Sequence, residues 1–259
     1  MKEEKIVISG IDINYKIAGQ GEPLLILHGW GGSSDSWQKV QEILANDFQV
    51  ISLDLPGFGK SSVPPFIWNI DNYSAFLSDF VGKIGLENFY LLGHSFGGGL
   101  SVKFSADNPQ KIKALILTGA AIFRSKKRLN WRQKIASGLA KFGLAFKKIP
   151  LMGESLYPLA RRLIYRFAGA RDYSRATGVM KETFKNIINE DLSGYLAQIK
   201  TPTFILWGEK DKSTPLQDAF AAQKLIKGSR LEIIKEANHS LHLAQPEKLA
   251  GLIRRFIQP

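Results

Sequence analysis

Cysteine is absent from the 259-residue chain, and histidine occurs only four times. Without cysteine the chain forms no disulfide, has no thiol nucleophile and offers no thiolate to a metal ion. No apolar run reaches the length of a transmembrane helix, and the charged start Met1 to Lys5 leads into no apolar stretch typical of a secretory signal. We therefore expect neither a membrane span nor a secretory signal, and the cytoplasm is the default location.

The residues that are present predict one large α/β domain. Hydrophobic residues make up 44% of the chain, which supplies a substantial core and excludes a disordered protein. Residues 5–8 and 11–18 predict an antiparallel hairpin, after which strand-like and helix-like segments alternate up to about residue 120. The alternation returns after residue 201. This rhythm predicts a mostly parallel, doubly wound sheet.

Residues 122–190 interrupt the alternation, because they carry long helical patterns and no strand-like run. We interpret them as a helical lid inserted after the sixth strand. The predicted core then consists of two parts, residues 1–121 and residues 191–259. Neither an internal repeat nor a low-complexity tract is present.

The insert also carries the whole net charge of +12, since it holds 16 Lys or Arg and 4 Asp or Glu against 19 of each sign elsewhere. Such a basic field attracts anionic substrates or an anionic membrane surface. We prefer a lid helix that packs its apolar side over a pocket to one that lies on a membrane. Nucleic acid is not an expected partner, because no binding module is recognised. Apolar residues and lysines occupy separate faces of this predicted helix: Trp131, Ile135, Leu139, Phe142 and Phe146; Lys134, Lys141 and Lys148.

The segment Gly93-His94-Ser95-Phe96-Gly97 follows an apolar, strand-like run and opens a helix-like one. A G-x-S-x-G pattern in that context predicts a strained turn that presents the serine hydroxyl to a substrate. Ser95 is therefore the candidate nucleophile. A serine hydroxyl is a poor nucleophile near neutral pH, so it needs a histidine base and a carboxylate that orients that histidine.

Two late histidines are candidates for the base. His28 lies too early in the chain, and the side chain of His94 should point away from that of the adjoining serine on a tight turn. His239 lies on a loop after a strand-like run, whereas His242 is three residues further and can begin the next segment. We favour His239 and interpret His242 as a structural neighbour.

The carboxylate is expected at another strand end. The buried, strand-like run Phe204–Gly208 is followed directly by Glu209 and Asp211, and both qualify by type. The other plausible strand end, Leu115–Ala120, carries no carboxylate. The acid therefore comes from the later loop, and we choose the chain order Ser95, Asp211, His239.

An oxyanion hole needs two backbone N–H groups that face the developing negative charge. Phe96, directly after the serine, supplies one as its helix begins. The glycine-rich loop His28–Gly32 follows a strand-like run, and the N–H of Trp30 is the second candidate. The residues that we expect around the substrate pocket are His28, Gly29, His94 and Trp131.

Taken together, these motifs resemble the α/β-hydrolase family in its lidded branch. The H-G-x-x-G loop stands at His28–Gly32, the D-x-P-G-x-G-x-S segment at Asp54–Ser61 and the G-H-S-x-G-G elbow at Gly93–Gly98. In this resemblance Asp211 occupies the acid position, and the histidine loop matches around His239, where Asn238 replaces the more usual glycine. The resemblance implies the α/β-hydrolase fold and catalysis without a cofactor or a metal ion.

The expected reaction is hydrolysis of a small carboxylic ester through an acyl-enzyme. The same triad also supports carbon–carbon bond hydrolysis of ring-cleavage products, lactone hydrolysis and perhydrolysis; the carbon–carbon hydrolases commonly have asparagine where His94 stands. Dehalogenases and epoxide hydrolases of the family carry an aspartate nucleophile, and Ser95 argues against both. A small-molecule receptor or signalling protein on the same fold stays open. The oligomeric state is not predicted.

Overall fold

One eight-stranded sheet runs through the protein in the computed structural model, which describes residues 1–124 and 178–258. Its strands are β1 (Lys2–Ile8), β2 (Ile11–Ala18), β3 (Pro23–Leu27), β4 (Gln49–Leu53), β5 (Phe89–His94), β6 (Ile112–Thr118), β7 (Thr203–Gly208) and β8 (Arg230–Ile234). Their order in the sheet is β1-β2-β4-β3-β5-β6-β7-β8. β2 is antiparallel to both neighbours, and the other pairs are parallel. The predicted mostly parallel sheet with an N-terminal antiparallel hairpin is confirmed.

Helices cover both faces of this sheet. The described helices are α1 (Gln38–Leu44), α2 (Ile70–Lys83), α3 (Phe96–Asp107), α4 (Gly178–Asn189), α5 (Ser193–Leu196), α6 (Leu216–Leu225), α7 (Leu241–Ala244) and α8 (Pro246–Ile257). Short 3₁₀ turns lie at Ser34–Trp37 and Pro109–Lys111. None of the described helices is long and apolar enough to cross a membrane.

Two hydrophobic cores lie on opposite faces of the sheet. In β3, Leu25 and Leu27 belong to one core, and Leu24 and Ile26 belong to the other. Successive side chains of a strand point to opposite faces, so a strand that is covered on both faces needs apolar residues at every position. This requirement explains why the inner strands are continuous apolar runs rather than alternating ones.

Two local signals mark element ends. Asn69 caps α2, because its side chain accepts from the Asn72 N–H and the Asn72 side chain accepts from the Asn69 N–H, each at 3.0 Å. β1 begins at Lys2 rather than at the predicted residue 5, because the antiparallel register pairs Lys2 with Ile17. The four consecutive charged residues Lys2–Lys5 on this edge strand hid the extension from the hydrophobic pattern.

Within the described residues, the six strands β3 to β8 run parallel to one another. Their carboxyl ends therefore meet at one edge of the sheet, where open α/β sheets place their ligands. The loops that follow β3, β4, β5, β6, β7 and β8 all begin at this edge, and they carry the candidate residues of the sequence motifs.

The insert leaves and rejoins the core at one place. The Leu192 N–H donates to the Ile122 carbonyl at 2.9 Å, and the Arg124 N–H donates to the Asp191 carboxylate at 2.8 Å. α4 lies within the range predicted for the lid. Trp131 and the predicted basic helix fall on residues 125–177, outside the described residues, so the lid and its bounds stay a prediction.

Candidate active site

Ser95 occupies a sharp turn between β5 and α3, with φ of 53° and ψ of −116°. A residue with a side chain rarely adopts positive φ, so the surrounding structure must hold it there. The Ser95 N–H donates to the Thr118 carbonyl at 3.1 Å, and the Ser95 carbonyl accepts from Gly99 at 3.0 Å and from Ala121 at 2.9 Å. These bonds tie the turn to the end of β6.

The glycines on either side of this turn are required by close contacts. A Cβ on Gly93 would lie 2.3 Å from the Ser101 Oγ, and a Cβ on Gly97 would lie 2.4 Å from the Leu27 carbonyl oxygen. Both distances are shorter than any side chain tolerates. The glycines of the G-x-S-x-G pattern are therefore needed because α3 packs closely against β5 and the end of β3.

Asp211 and His239 form a hydrogen-bonded pair, with 2.7 Å between the Asp211 Oδ2 and the His239 Nδ1. The Asp211 side chain is 1% exposed and the His239 side chain is 20% exposed. Glu209, the other carboxylate of this loop, instead accepts from the Glu236 N–H at 2.9 Å. The structure thus brings Asp211, and not Glu209, to His239.

Three further donors hold the Asp211 carboxylate in place. Oδ1 accepts from the Ser213 N–H at 2.8 Å and the Thr214 N–H at 2.9 Å, and Oδ2 accepts from the Thr214 hydroxyl at 2.9 Å. Burial raises the pKa of the Asp211 carboxyl, but the hydrogen bonds and charge of His239, together with the Thr214 donors, outweigh burial and lower that pKa below its ordinary value. The carboxylate is therefore ionised and oriented.

Gly119 links this pair to the serine turn. With φ of 51°, it approaches so closely that a Cβ would lie 3.0 Å from the His239 Nδ1 and 3.1 Å from the Asp211 Oδ2. Gly119 directly follows Thr118, which accepts the hydrogen bond from Ser95. Sequence reasoning missed both Gly119 and Thr214; the available signal was that Gly119 directly follows β6 and that Thr214 lies in the loop after β7, at the same edge of the sheet.

Of the two N–H groups expected in the oxyanion hole, that of Phe96 directly follows the serine and that of Trp30 belongs to the loop after β3. Phe96 begins α3, so its N–H has no acceptor within the helix. Trp30 follows Gly29, on which a Cβ would lie 3.1 Å from the Ser95 Cβ. Neither N–H makes a hydrogen bond within residues 1–124 and 178–258. Their role in an oxyanion hole stays a prediction that this arrangement allows.

An aromatic cluster surrounds the Trp30 side chain. Its ring centroid lies 4.8 Å from that of Phe58, 5.4 Å from Phe96 and 4.9 Å from Phe184 of α4. Met180 also belongs to α4, and a Cβ on Gly57 would lie only 2.3 Å from its sulfur. The described part of the insert therefore packs directly on the loops that follow β3 and β4.

His28 was expected near the substrate pocket, but the structure buries it behind its own loop. Its Nδ1 donates to the Gly29 carbonyl at 2.8 Å, and its Nε2 accepts from the Leu55 N–H at 3.0 Å. Burial lowers the pKa of His28, which matches this neutral form. Both ring nitrogens are bonded to main-chain groups, so His28 joins two loops, and its place in a substrate pocket stays a prediction.

Asp54 of the D-x-P-G-x-G-x-S segment plays a comparable part. Its buried carboxylate accepts from the Ser34 N–H at 2.6 Å, the Asn14 Nδ2 at 3.0 Å and the Lys60 N–H at 2.9 Å. A Cβ on Gly59 would lie 2.3 Å from that carboxylate, so only glycine fits there. The segment is thus a folding motif that fixes the loops after β3 and β4.

His94 and His242 are buried together on one side of His239. The His94 ring centroid lies 4.7 Å from His239 and 4.6 Å from His242, and His242 stacks on Trp37 at 4.5 Å. Burial lowers the pKa of His242 to about 4, so it is neutral at pH 7. Asp211 is bonded to His239 and not to His242, which is what the favoured order of the sequence requires.

Two residues expected around the substrate pocket, Gly29 and Trp131, remain to be located. Gly29 lies against the His94 and Ser95 side chains, and Trp131 falls outside the described residues, so the substrate pocket stays a prediction. Within the described part of the chain, no group of three or more histidine, aspartate or glutamate side chains is arranged to hold a metal ion.

Residues 22–246 match the α/β-hydrolase fold family. The chain belongs to that family. This α/β-hydrolase is also similar, over nearly its whole length, to individual proteins. The 2-hydroxy-6-oxo-6-(2'-aminophenyl)hexa-2,4-dienoic acid hydrolase of Metapseudomonas resinovorans is 25% identical over 264 residues, which cover 98% of this chain and 90% of the relative.

Solved structures of two other proteins share the architecture. A thermophilic esterase from Thermogutta terrifontis has a TM-score of 0.74 at 25% identity, and the match covers 100% of this α/β-hydrolase and 98% of the esterase. A bromoperoxidase from Bacillus anthracis has a TM-score of 0.77 at 21% identity over 100% of both chains, and that likeness concerns the fold alone. The expected membership in the α/β-hydrolase family is confirmed, and with it the expected hydrolase activity on a small molecule.

Proposed function

We propose that this α/β-hydrolase is a serine hydrolase that cleaves small carboxylic esters through an acyl-enzyme. One observation carries the proposal: the strained Ser95 turn and the His239–Asp211 pair flank the same residue, Gly119. The likeness to the thermophilic esterase supports ester substrates in particular.

In the proposed first step, the Ser95 Oγ attacks the ester carbonyl while His239 takes its proton. Asp211 accepts from the His239 Nδ1 at 2.7 Å, so it holds the ring in the tautomer whose Nε2 is free to act as a base. The ionised carboxylate then stabilises the imidazolium that forms. The N–H groups of Trp30 and Phe96 bind the negative oxygen, a contribution worth about 3 kcal/mol for each donor.

The second half of the reaction repeats this chemistry with water. His239 first gives its proton to the leaving alcohol, which departs, and Ser95 retains the acyl group. A water molecule that is deprotonated by His239 then attacks the acyl-enzyme; the bond from the Ser95 Oγ to the acyl group breaks, His239 returns the proton to that Oγ, and the acid is released. Every proton in this cycle moves through His239.

Carbon–carbon bond hydrolysis is the second candidate, because the relative from Metapseudomonas resinovorans acts on a dienoic acid. That substrate name also describes an anion, and the insert of residues 122–190 carries 16 Lys or Arg against 4 Asp or Glu. We propose that this charge favours anionic substrates. An anionic lipid surface is the alternative target of the same charge.

A panel of substrates with one variant tests the proposal. Wild-type protein should release product from short-chain p-nitrophenyl esters with a burst, and an organophosphate should label it covalently. Ser95→Ala should remain folded, lose the label and lose roughly four orders of magnitude in kcat. Turnover of the esters by Ser95→Ala at the wild-type rate would refute the serine mechanism.

The same panel separates the alternatives. A higher kcat/KM for a ring-cleavage dienoate than for any ester would establish the carbon–carbon hydrolase, with the same dependence on Ser95. Lactones and hydrogen peroxide as co-substrates test the lactonase and the perhydrolase. Ligand-dependent capture of a partner protein without turnover would indicate a receptor on this fold.

A further inference from the structure

Three of the four histidines of the chain lie together, and one of them contacts the main chain of another. The His94 Nε2 lies 3.0 Å from the carbonyl oxygen of His239. His94 is only 5% exposed, although it adjoins the nucleophile in sequence. Its side chain is therefore occupied with the loop of the base rather than with a substrate.

The protonation state of His94 follows from this contact. A carbonyl oxygen only accepts, so the Nε2 must carry the proton and donate it. Burial lowers the pKa of His94 well below its ordinary value, and the neighbouring His242 and His239 rings lower it further, so the ring is neutral. The Nδ1 is then a bare acceptor, and it has no hydrogen-bond partner within the described residues.

The bare Nδ1 is held in a narrow space, since a Cβ on Gly29 would lie 2.9 Å from it. A second proton at this position would create a buried cation beside His239, the ring that becomes charged during the proposed reaction. His94 therefore stays a neutral, single donor throughout that reaction. This fixed state suits it to holding a position rather than to transferring a proton.

We propose that His94 is a positioning residue, which sets the place of His239 by donating to its main-chain carbonyl. The inference rests on the serine hydrolase function proposed above. His94 and Ser95 are consecutive residues, so one covalent unit fixes both the nucleophile and the loop of the base. Asp211 orients the ring of His239 from one side, and His94 anchors its backbone from another.

The hydrogen bond from His94 fixes the distance between His239 and the nucleophile Ser95, and the rate of the proposed reaction depends steeply on that distance. Misplacing a reacting group by about 1 Å can cost roughly 100-fold in rate. The loop that carries His239 lies between β8 and α7, where the described backbone has no strand partner. A hydrogen bond from β5, at the centre of the sheet, therefore ties the loop to the most rigid part of the protein.

A matched pair of variants tests the proposal against simple packing. His94→Gln and His94→Met have similar length and volume, but only Gln keeps an N–H donor near the position of the Nε2. We expect His94→Met to lower kcat for an ester by roughly 30-fold with KM within about twofold of the wild type. His94→Gln should remain within about fivefold in both constants.

Two controls keep this test independent of folding and of the reaction. His242→Gln and His242→Met alter the same buried stack without touching the carbonyl of His239, so these two variants should not differ in kcat. The downfield NMR signal of the His239 Nδ1 proton reports the bond to Asp211 without any substrate. That signal should persist in His94→Gln and should shift upfield or broaden in His94→Met.

The outcomes are distinct. Equal kcat and an unchanged NMR signal in His94→Met and His94→Gln would overturn the positioning role, because packing alone would then suffice. The expected NMR difference without turnover of any substrate would retain the positioning of His239 and reject the proposed function. If His94→Met loses activity and the NMR signal of the His239 Nδ1 proton while His94→Gln retains them, the positioning role and the proposed function are both supported.

Discussion

Two regions at the carboxyl edge of the sheet each contain a buried aspartate and a histidine, yet they are built for different tasks. In the Asp54 region, the carboxylate accepts from two backbone N–H groups and one amide, and His28 bonds to main chain instead. In the Asp211 region, the carboxylate accepts from two backbone N–H groups, one hydroxyl and the ring of His239. Burial and hydrogen-bond number hardly separate the two.

The difference lies in the kind of donor that each carboxylate binds. Every partner of Asp54 is an amide, which keeps its proton at any pH that the protein experiences. One partner of Asp211 is an imidazole, the side chain that most often acts as a general acid or base in catalysis. A buried aspartate therefore becomes a candidate for catalysis only when a partly exposed imidazole ring donates a hydrogen bond to one of its oxygens.

The strongest test of this comparison replaces Asp211. Asp211→Asn removes the negative charge and offers an amide N–H to the His239 ring, so the ring loses its oriented tautomer. We expect kcat to fall by roughly 10⁴-fold, as it does when a triad carboxylate is replaced by its amide. The measurement is steady-state hydrolysis of the best ester, with Glu209→Gln as the matched control that should cost less than about threefold.

The second test removes the other carboxylate. Asp54→Ala leaves two buried donors, those of Ser34 and Asn14, without their acceptor, and each costs about 1–3 kcal/mol; the partly buried N–H of Lys60 loses its acceptor as well. We expect the free energy of unfolding to fall by about 3 kcal/mol or more. Ester turnover per folded molecule should change by less than about tenfold. A loss of activity as large as that in Asp211→Asn, at unchanged stability, would erase the distinction between the regions.

The third test uses acid pH to compare histidines within the Asp211 region. The pKa of His242 is about 4 when folded and 6.5 when exposed, so between these values only the unfolded chain binds the proton. Stability must therefore fall as the pH falls from 6.5 to 4, by about 2 kcal/mol at pH 5 from this residue alone. Chemical denaturation of wild type and His242→Gln should give a flatter pH curve for the variant; parallel curves would contradict the prediction.

The smallest effect is expected at Thr214, whose hydroxyl donates to the Asp211 Oδ2 at 2.9 Å. Thr214→Val removes this donor and keeps the shape, whereas Thr214→Ser keeps the hydroxyl. We expect Thr214→Val to lower kcat by roughly tenfold and the free energy of unfolding by about 1 kcal/mol, because one buried hydrogen bond is lost. Thr214→Ser should remain near the wild type; equal losses in both variants would show that the hydroxyl alone is not responsible for the effect.

The strands were predictable because each buried one is an unbroken apolar run, and the sheet edge at which they end was predictable from their parallel order. The chain order of Ser95, Asp211 and His239 came from those strand ends, and the structure joins the last two. Their catalytic roles stay predictions. The sequence could not separate Asp211 from Glu209 by residue type alone, since both follow β7.

Other features could not be predicted, because they depend on contacts between distant segments. The bond from His94 to His239 joins residues 145 apart, and Asp54 binds Asn14 of β2 and Ser34 of the first 3₁₀ turn, 40 and 20 residues away. His28 was expected beside the substrate because its motif borders the site. Its ring is buried and accepts from the Leu55 N–H, a bond between two loops that no local sequence pattern indicates.

The two hydrogen bonds that close the base of the insert, from Leu192 to Ile122 and from Arg124 to Asp191, have an evolutionary consequence. Once its two ends are joined, a segment can lengthen at little cost, because doubling a loop adds only about 0.6 kcal/mol of closure entropy. The intervening residues can therefore exchange length and charge while the sheet and the site beneath remain unchanged. Substrate range can diverge in this family member without rebuilding its chemistry.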